Sequence, residues 1–279
     1  MLKAEKVVDI MQIKGSEIFQ DKVEDYLRGV EAPFKKTKSA EVYQRNLDGR
    51  SYFVKRYCYS RTIKEVLVDI KNNRKKSSVS DYEISKTLKE LGIPAIEFEG
   101  FYFCKNWKDE NAILISPDYR EDGWYHPTDE SLKKAGITSY GMGRLLVKLM
   151  RDFVRLANLN IYMNDIHPEN FLFRNGELLY IDINEIKISK KPVKKNLYRA
   201  LSKLEGKLIL YLNCSDDVRR NIFLKLIKNL DFMGMKWDEI LREYVGFRDG
   251  YHRKKVRRNQ KRGLTKDIVC LDWSSHKNI

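Results

Sequence analysis

Five residues scattered along the chain are of types that could together handle a phosphate ester: Lys55, Glu83, Asp165, Asn170 and Asp182. Phosphate oxygens need cations near them, and a lysine ammonium such as Lys55 can contact the inner phosphates of a nucleoside triphosphate. The long lysine stem needs a carboxylate to hold it. Glu83 is the first candidate for that role, with Glu90 and Asp81 as others. Magnesium prefers oxygen ligands, which Asn170 and Asp182 would supply. An attacking hydroxyl needs an acceptor aligned with the terminal phosphate, and Asp165 suits that task. A carboxylate is a weak base at neutral pH, so this residue would align the hydroxyl more than deprotonate it early. Phosphoryl transfer depends mainly on such positioning and on charge stabilisation. Taken singly, each residue has a plainer reading. A strand lysine often lays its stem along apolar surface, and Asp and Asn in a loop often form side-chain turns.

The elements that must hold these residues can be read from apolar spacing and turn chemistry. "VVDIMQI" (7–13) and "EVYQRNL" (41–47) read as strands. In "NLDGRSYFVKRYCY" (46–59), Asp48-Gly49 between two strand-like runs predicts a hairpin. Alternation then places Tyr52, Val54 and Arg56 on one face and Phe53, Lys55 and Tyr57 on the other. "SDYEISKTLKELG" (80–92) reads as a helix with Ser80 as N-cap and Glu83 at capping-box spacing. Ile84, Leu88 and Leu91 form its stripe, and Gly92 with Pro94 ends it. Strands follow at 97–104 and 111–116, and "FEGFYF" reads as strand core rather than a stacking platform. The polar stretch 117–131 marks a boundary, so the expected domains are 1–117 and 118–279. Beyond it come a helix over 138–159, the loop "NDIHPENFLF" (164–173), strands at 170–173 and 177–183 with Gly176 between them, and helices near 195–212, 215–230 and 237–247.

"NDIHPENFLF" resembles the catalytic loop of protein-kinase-like enzymes, and "LLYIDINEIKI" resembles their metal-binding segment without its usual glycine. Over residues 37–205 the course resembles the lipopolysaccharide kinases, the Kdo and heptose kinases of bacterial core assembly. The motifs that carry this are "DGRSYFVKRY", "LKELGIP", "NDIHPENFLF", "YIDIN" and "KKNLYRAL". The resemblance implies an α+β, two-lobed protein-kinase-like fold. Its N-terminal ATP-binding lobe would be a small antiparallel sheet with one helix, and its C-terminal catalytic lobe would be larger and mainly helical. It implies ATP and magnesium as cofactors and a sugar hydroxyl of the lipopolysaccharide inner core as acceptor. Asp165 takes the catalytic role, Lys55 and Glu83 the nucleotide side, and Asn170 and Asp182 the metal. Three departures stand out. Met163 occupies the position where the family has a loop-bracing histidine. No GxGxxG precedes Lys55, so the turn near "TKSAEV" (37–42), with Ser39 and backbone amides, would have to cover the phosphates. No APE-type segment follows Asp182, which argues against a regulated protein kinase. His167 falls where protein kinases carry a phosphate-contacting lysine.

Composition bounds the partners. The chain has 279 residues, with a formal net charge of +15. Two segments supply much of it: "KISKKPVKKNLYR" (187–199) has six basic residues and "HRKKVRRNQKRG" (252–263) has seven, both without an acid. Such segments read as solvated faces or tails, yet near an anionic membrane each cation gains about 1 kcal/mol. They fit an anionic lipid-linked saccharide acceptor and peripheral membrane contact; non-specific nucleic-acid binding would follow from charge alone, and no specific nucleic acid is expected. Cys58, Cys104, Cys214 and Cys270 form no CxxC pair and read as reduced thiols. The start does not read as a signal peptide, and no apolar run spans a membrane. The expected location is the cytoplasm, with contact at the inner face of the inner membrane left open. Rival readings are an aminoglycoside- or choline-type phosphotransferase, whose cationic acceptors a basic chain would repel, and an atypical protein kinase. Outside enzymology, a kinase-like protein that binds membrane or nucleic acid fits the same charge.

Overall fold

The computed structural model describes residues 10–14, 19, 23, 32–37, 40–60, 62, 77–104, 109–126, 139–166, 170–261 and 270–273. The chain divides into two compact units, Met1–Trp124 and Tyr125–Ile279.

The first unit is built on an antiparallel sheet. Its strands are β1 (Ile10–Lys14), β2 (Lys35–Lys36), β3 (Ala40–Leu47), β4 (Arg50–Ser60), β5 (Gly100–Cys104) and β6 (Asp109–Pro117), in the order β1-β5-β6-β4-β3-β2. Leu47 pairs with Arg50, so Asp48 and Gly49 alone make the turn. Their φ angles of 50° and 80° are both positive. This is the type I′ geometry that matches the twist of a hairpin, and Asp-Gly favours it. One sheet face buries Tyr43, Tyr52, Val54, Tyr102, Ile113 and Ile115 together with Phe19 and Val23. On this face the "FEGFYF" stretch contributes core, with Tyr102 buried. Near the edge, buried Glu41 ties three strands together. It takes Lys36 of β2 at 2.7 Å and Arg56 of β4 at 2.9 Å.

Helix α1 (Ser77–Glu90) packs on β6 and turns Asp81, Ile84 and Leu88 inward. Helical backbone already runs from Ser77, so Ser80 lies inside the helix and is not its N-cap. The expected capping box at Ser80 and Glu83 is thereby corrected. The helix ends as expected at Gly92, whose φ of 65° suits glycine.

The second unit is mainly helical. It contains α2 (Ser139–Asn158), β7 (Ile161–Met163), β8 (Phe171–Arg174), β9 (Glu177–Tyr180) and β10 (Ile186–Ile188). Then follow α3 (Lys194–Tyr211), α4 (Asp216–Lys228) and α5 (Trp237–Gln260). β8 pairs with β9 and β7 with β10, both antiparallel. Helix α5 continues well past the expected end near 247 and carries much of the basic run on helical backbone. Apolar periodicity stops there, but Lys and Arg are good helix formers. No described helix is long and apolar enough to cross a membrane.

The centre of this unit holds a buried carboxylate. Glu205 of α3 is 1% exposed and Arg248 of α5 is 5% exposed. Glu205 Oε1 accepts from Arg248 Nη1 at 3.0 Å and from Trp273 Nε1 at 2.7 Å. Its Oε2 accepts from the Tyr244 hydroxyl at 2.9 Å. Arg248 Nη1 also donates to the Leu271 carbonyl at 2.9 Å. Burial pushes the Glu205 carboxyl above its ordinary value, and the Arg248 charge opposes that rise. Removing one partner of such a pair strands the other charge in a dry site. Glu205→Gln therefore lowers the unfolding free energy by about 3 kcal/mol, read as a shifted midpoint in urea denaturation. An unchanged midpoint would show that the pair contributes nothing.

Candidate active site

In the first unit Lys55 sits on β4, on the face that carries α1, as the strand alternation predicts. Its Nζ donates to Asp81 Oδ2 at 3.0 Å. The Tyr57 hydroxyl donates to the same oxygen. Lys55 Nζ also lies 4.9 Å from the centre of the Tyr57 ring. Asp81 is 2% exposed. The partner that the structure gives Lys55 is thus Asp81 and not the first candidate, Glu83. The reason is helical phase. Two residues along a helix rotate by roughly 200°, so one face cannot present both carboxylates. Asp81 lies three residues before buried Ile84 and seven before buried Leu88, on the inward face.

The turn expected to cover phosphates joins β2 to β3. Thr37 Oγ1 accepts from Ala40 N at 3.0 Å, and Thr37 N donates to Ala40 O at 2.8 Å. Ser39 lies outside the described residues, as do His167, Pro168 and Glu169 of the loop.

In the second unit the structure brings Asp165 and Asn170 together. Asn170 Nδ2 donates to the Asp165 backbone carbonyl at 3.1 Å and to its Oδ2 at 3.3 Å. Asn170 is buried and Asp165 exposed, so a fixed amide holds a solvent-facing carboxylate. The same Asn170 accepts from Ile181 N at 3.0 Å through its backbone carbonyl. That bond extends the β8–β9 ladder by one pair and delivers Asp182, exposed, just beyond it. With the Asn170 nitrogen committed to Asp165, its amide oxygen is the atom offered to a metal.

Met163 is buried in β7 and pairs with Ile186 of β10, and Asn164 N donates to the Glu185 carbonyl at 3.1 Å. Backbone pairing and apolar packing thus anchor the segment at Met163. Among the described residues no group of three or more His, Cys, Asp or Glu side chains clusters as a metal site. One carboxylate with one amide oxygen fits magnesium, which usually keeps several waters and takes few protein ligands.

Reading the sequence missed Lys207 of α3. It is half-buried, and Asp165 lies within its electrostatic reach. Burial lowers the Lys207 pKa, while the Asp165 charge raises it and the neighbouring Lys203 lowers it further. A cation every four residues in "KKNLYRALSKLEGK" was the available signal.

No family model matches the sequence, and no curated protein matches it. Among solved structures, the chain is similar to "WaaP in complex with acyl carrier protein", with a TM-score of 0.56 and 14% identity. The match covers 88% of this chain and 98% of that one. The fold is kinase-like. At that identity the likeness is one of architecture, and the site rests on its own geometry.

Asp81→Asn removes the counter-charge of Lys55 from a buried position and costs the first unit roughly 1–3 kcal/mol. Urea titration of the variant checks this, and an unchanged midpoint would show that the Lys55–Asp81 pair contributes nothing.

Proposed function

We propose that the chain is an ATP- and magnesium-dependent phosphotransferase. It transfers the terminal phosphate to a sugar hydroxyl of the lipopolysaccharide inner core, on Kdo or heptose. The observation that carries the transfer chemistry is the double hydrogen bond from buried Asn170 to exposed Asp165. It fixes a carboxylate at the point where an acceptor hydroxyl needs alignment, and such positioning is most of what phosphoryl transfer asks of a protein. The choice of acceptor is supported by the motif resemblance and by the kinase-like fold.

The residues divide the work. Lys55, held by Asp81 and Tyr57, contacts the inner phosphates of the nucleotide. Asn170 Oδ1 and Asp182 would hold magnesium, which when bound would neutralise phosphate charge. Asp165 accepts a hydrogen bond from the acceptor hydroxyl and orients its oxygen toward the terminal phosphorus. The new phosphorus–oxygen bond forms as the bond to the bridging oxygen breaks. ADP leaves, and the hydroxyl proton passes through Asp165 to solvent.

The charge near Asp165 weighs against cationic acceptors. Lys207 lies within its electrostatic reach and Lys203 within reach of Lys207, which disfavours the aminoglycoside- or choline-type reading. The solved neighbour is in complex with acyl carrier protein, and a protein partner of net negative charge would suit a chain of +15. For membrane contact, exposed Arg253, Lys254 and Arg257 on α5 offer a helical basic surface.

Asp165→Ala lowers transfer from radiolabelled ATP to purified core oligosaccharide by roughly 10²–10⁴-fold, with an unchanged melting temperature. Chelation with EDTA stops the wild-type reaction and added magnesium restores it. Full activity in Asp165→Ala would remove the assigned role. Separately, vesicles rich in anionic lipid sediment the wild-type chain. Arg253→Gln with Lys254→Gln and Arg257→Gln weakens that binding by roughly 3 kcal/mol at low salt. Equal binding to neutral vesicles would rule out an electrostatic contact.

A further inference from the structure

The inference rests on the phosphotransferase reading and concerns how the acceptor is held. Helix α3 carries Lys195, Arg199, Lys203 and Lys207, each four residues from the next. Four residues slightly exceed one turn, so such a row drifts around the helix by about 40° per step. Leu197, Ala200, Leu201, Leu204 and Leu208 form the buried face of α3. The row starts at exposed Lys195 and winds toward the edge of that face, where Lys207 is half-buried. Its inner end is the member within electrostatic reach of Asp165.

These cations make no ion pair within the fold among the described residues, although Lys207 Nζ lies 5.8 Å from the centre of the Tyr211 ring. Lys194, one residue before the row, is paired with Glu243 at 2.8 Å. Among the described residues, no ion pair joins Lys195, Arg199, Lys203 or Lys207 to a carboxylate. Arg199 Nε is buried with no hydrogen-bond partner. Like charges four apart on a helix repel, and burial opposes the charge on Lys207. An anion laid along the row would relieve the repulsion and the burial cost on Lys207.

We infer that this row is the acceptor track of the enzyme. It binds the phosphate or carboxylate groups that flank the accepting hydroxyl, with Arg199 and Lys203 holding the anion and Lys207 setting the hydroxyl against Asp165. The ligand is an anionic saccharide. The row selects it by charge, and Lys203 and Lys207 act as positioning residues.

The test uses the full chain and two forms of core oligosaccharide, native and neutralised by dephosphorylation and carboxyl reduction. Calorimetric titration gives binding, and radiolabelled ATP gives steady-state transfer. The variant Arg199→Gln/Lys203→Gln/Lys207→Gln raises the acceptor KM by roughly tenfold or more, with the ATP KM within about twofold. Lys203→Gln alone gives the same direction should the triple variant fail to fold. Lys203→Arg keeps most of the affinity. Wild-type protein binds the neutralised oligosaccharide as weakly as the triple variant binds the native one. An unchanged acceptor KM, or a rise confined to the ATP KM, overturns the proposal. So does equal wild-type affinity for both forms, or no binding at all. Wild-type protein that binds the native form without transferring phosphate refutes the phosphotransfer reading instead, and the binding comparison still decides the row.

Discussion

A carboxylate with almost no access to water is affordable only if donors surround it. Glu205 meets that condition with Tyr244, Arg248 and Trp273, and so joins α3 to α5 and to the segment Leu271–Trp273. Hydrophobic packing alone would let two helices slide and rotate past each other. A charge that must meet three donors fixes both the height and the rotation of α3. The consequence reaches the site, because Lys207 is two residues beyond Glu205 on that helix. A helix located to a fraction of a turn by its buried face presents the opposite cations with the same accuracy. Tyr198 strengthens the arrangement from about two turns away. Its hydroxyl donates to Glu243 at 2.9 Å, the carboxylate that also takes Lys194.

The loop around Asp165 shows the same logic at smaller scale. Its exposed carboxylate is held by a buried amide, and the amide is held by the β8–β9 ladder through Ile181. On the other side, Met163 and Asn164 are pinned by β10. The loop is therefore anchored at both ends by backbone hydrogen bonds, which do not depend on side-chain identity. Met163 can therefore serve there through packing alone. Buried Tyr180, opposite Phe171 in the ladder, donates to Asp152 of α2 at 2.9 Å and ties the hairpin to the long helix.

Much of this was legible in the sequence, for local reasons. Asp48-Gly49 can form one kind of tight turn readily, and the register of β3 against β4 follows from it, including the face on which Lys55 lies. The placement of Asn170 and Asp182 at the base of the β8–β9 hairpin was readable because Gly176 marks a short turn between two apolar runs. Glu83, Glu90 and Asp81 all lie on the helix that follows β4, so its position in the chain does not by itself choose the partner of Lys55. Asp81 shares the stripe of Ile84 and Leu88, so the period itself pointed to the buried carboxylate. Lys207 was missed for a different reason. Its relation to Asp165 depends on how α3 packs, and Glu205, which fixes that packing, reads in the sequence as one more surface glutamate. The length of α5 was missed because charged residues carry no apolar period even where they are helical.

The charge of +15 separates into parts with different uses once partners are considered. Lys36 and Arg56 close a sheet edge on Glu41, and Arg248 neutralises a buried carboxylate. These cations belong to the fold. Among the described residues, those of the α3 row have no ion-pair partner, and for Lys207, half-removed from water, the burial cost exceeds what the Asp165 charge returns. Stability alone would favour replacing Lys207 or placing a carboxylate in direct contact with it. A ligand that bears negative charge would turn that cost into binding energy, and would gain it only when bound next to Asp165. On the proposed reading, charge selection by α3 and alignment by the Asn170–Asp165 pair would be separable tasks on separate elements. A change of acceptor could proceed through the helix without disturbing the loop.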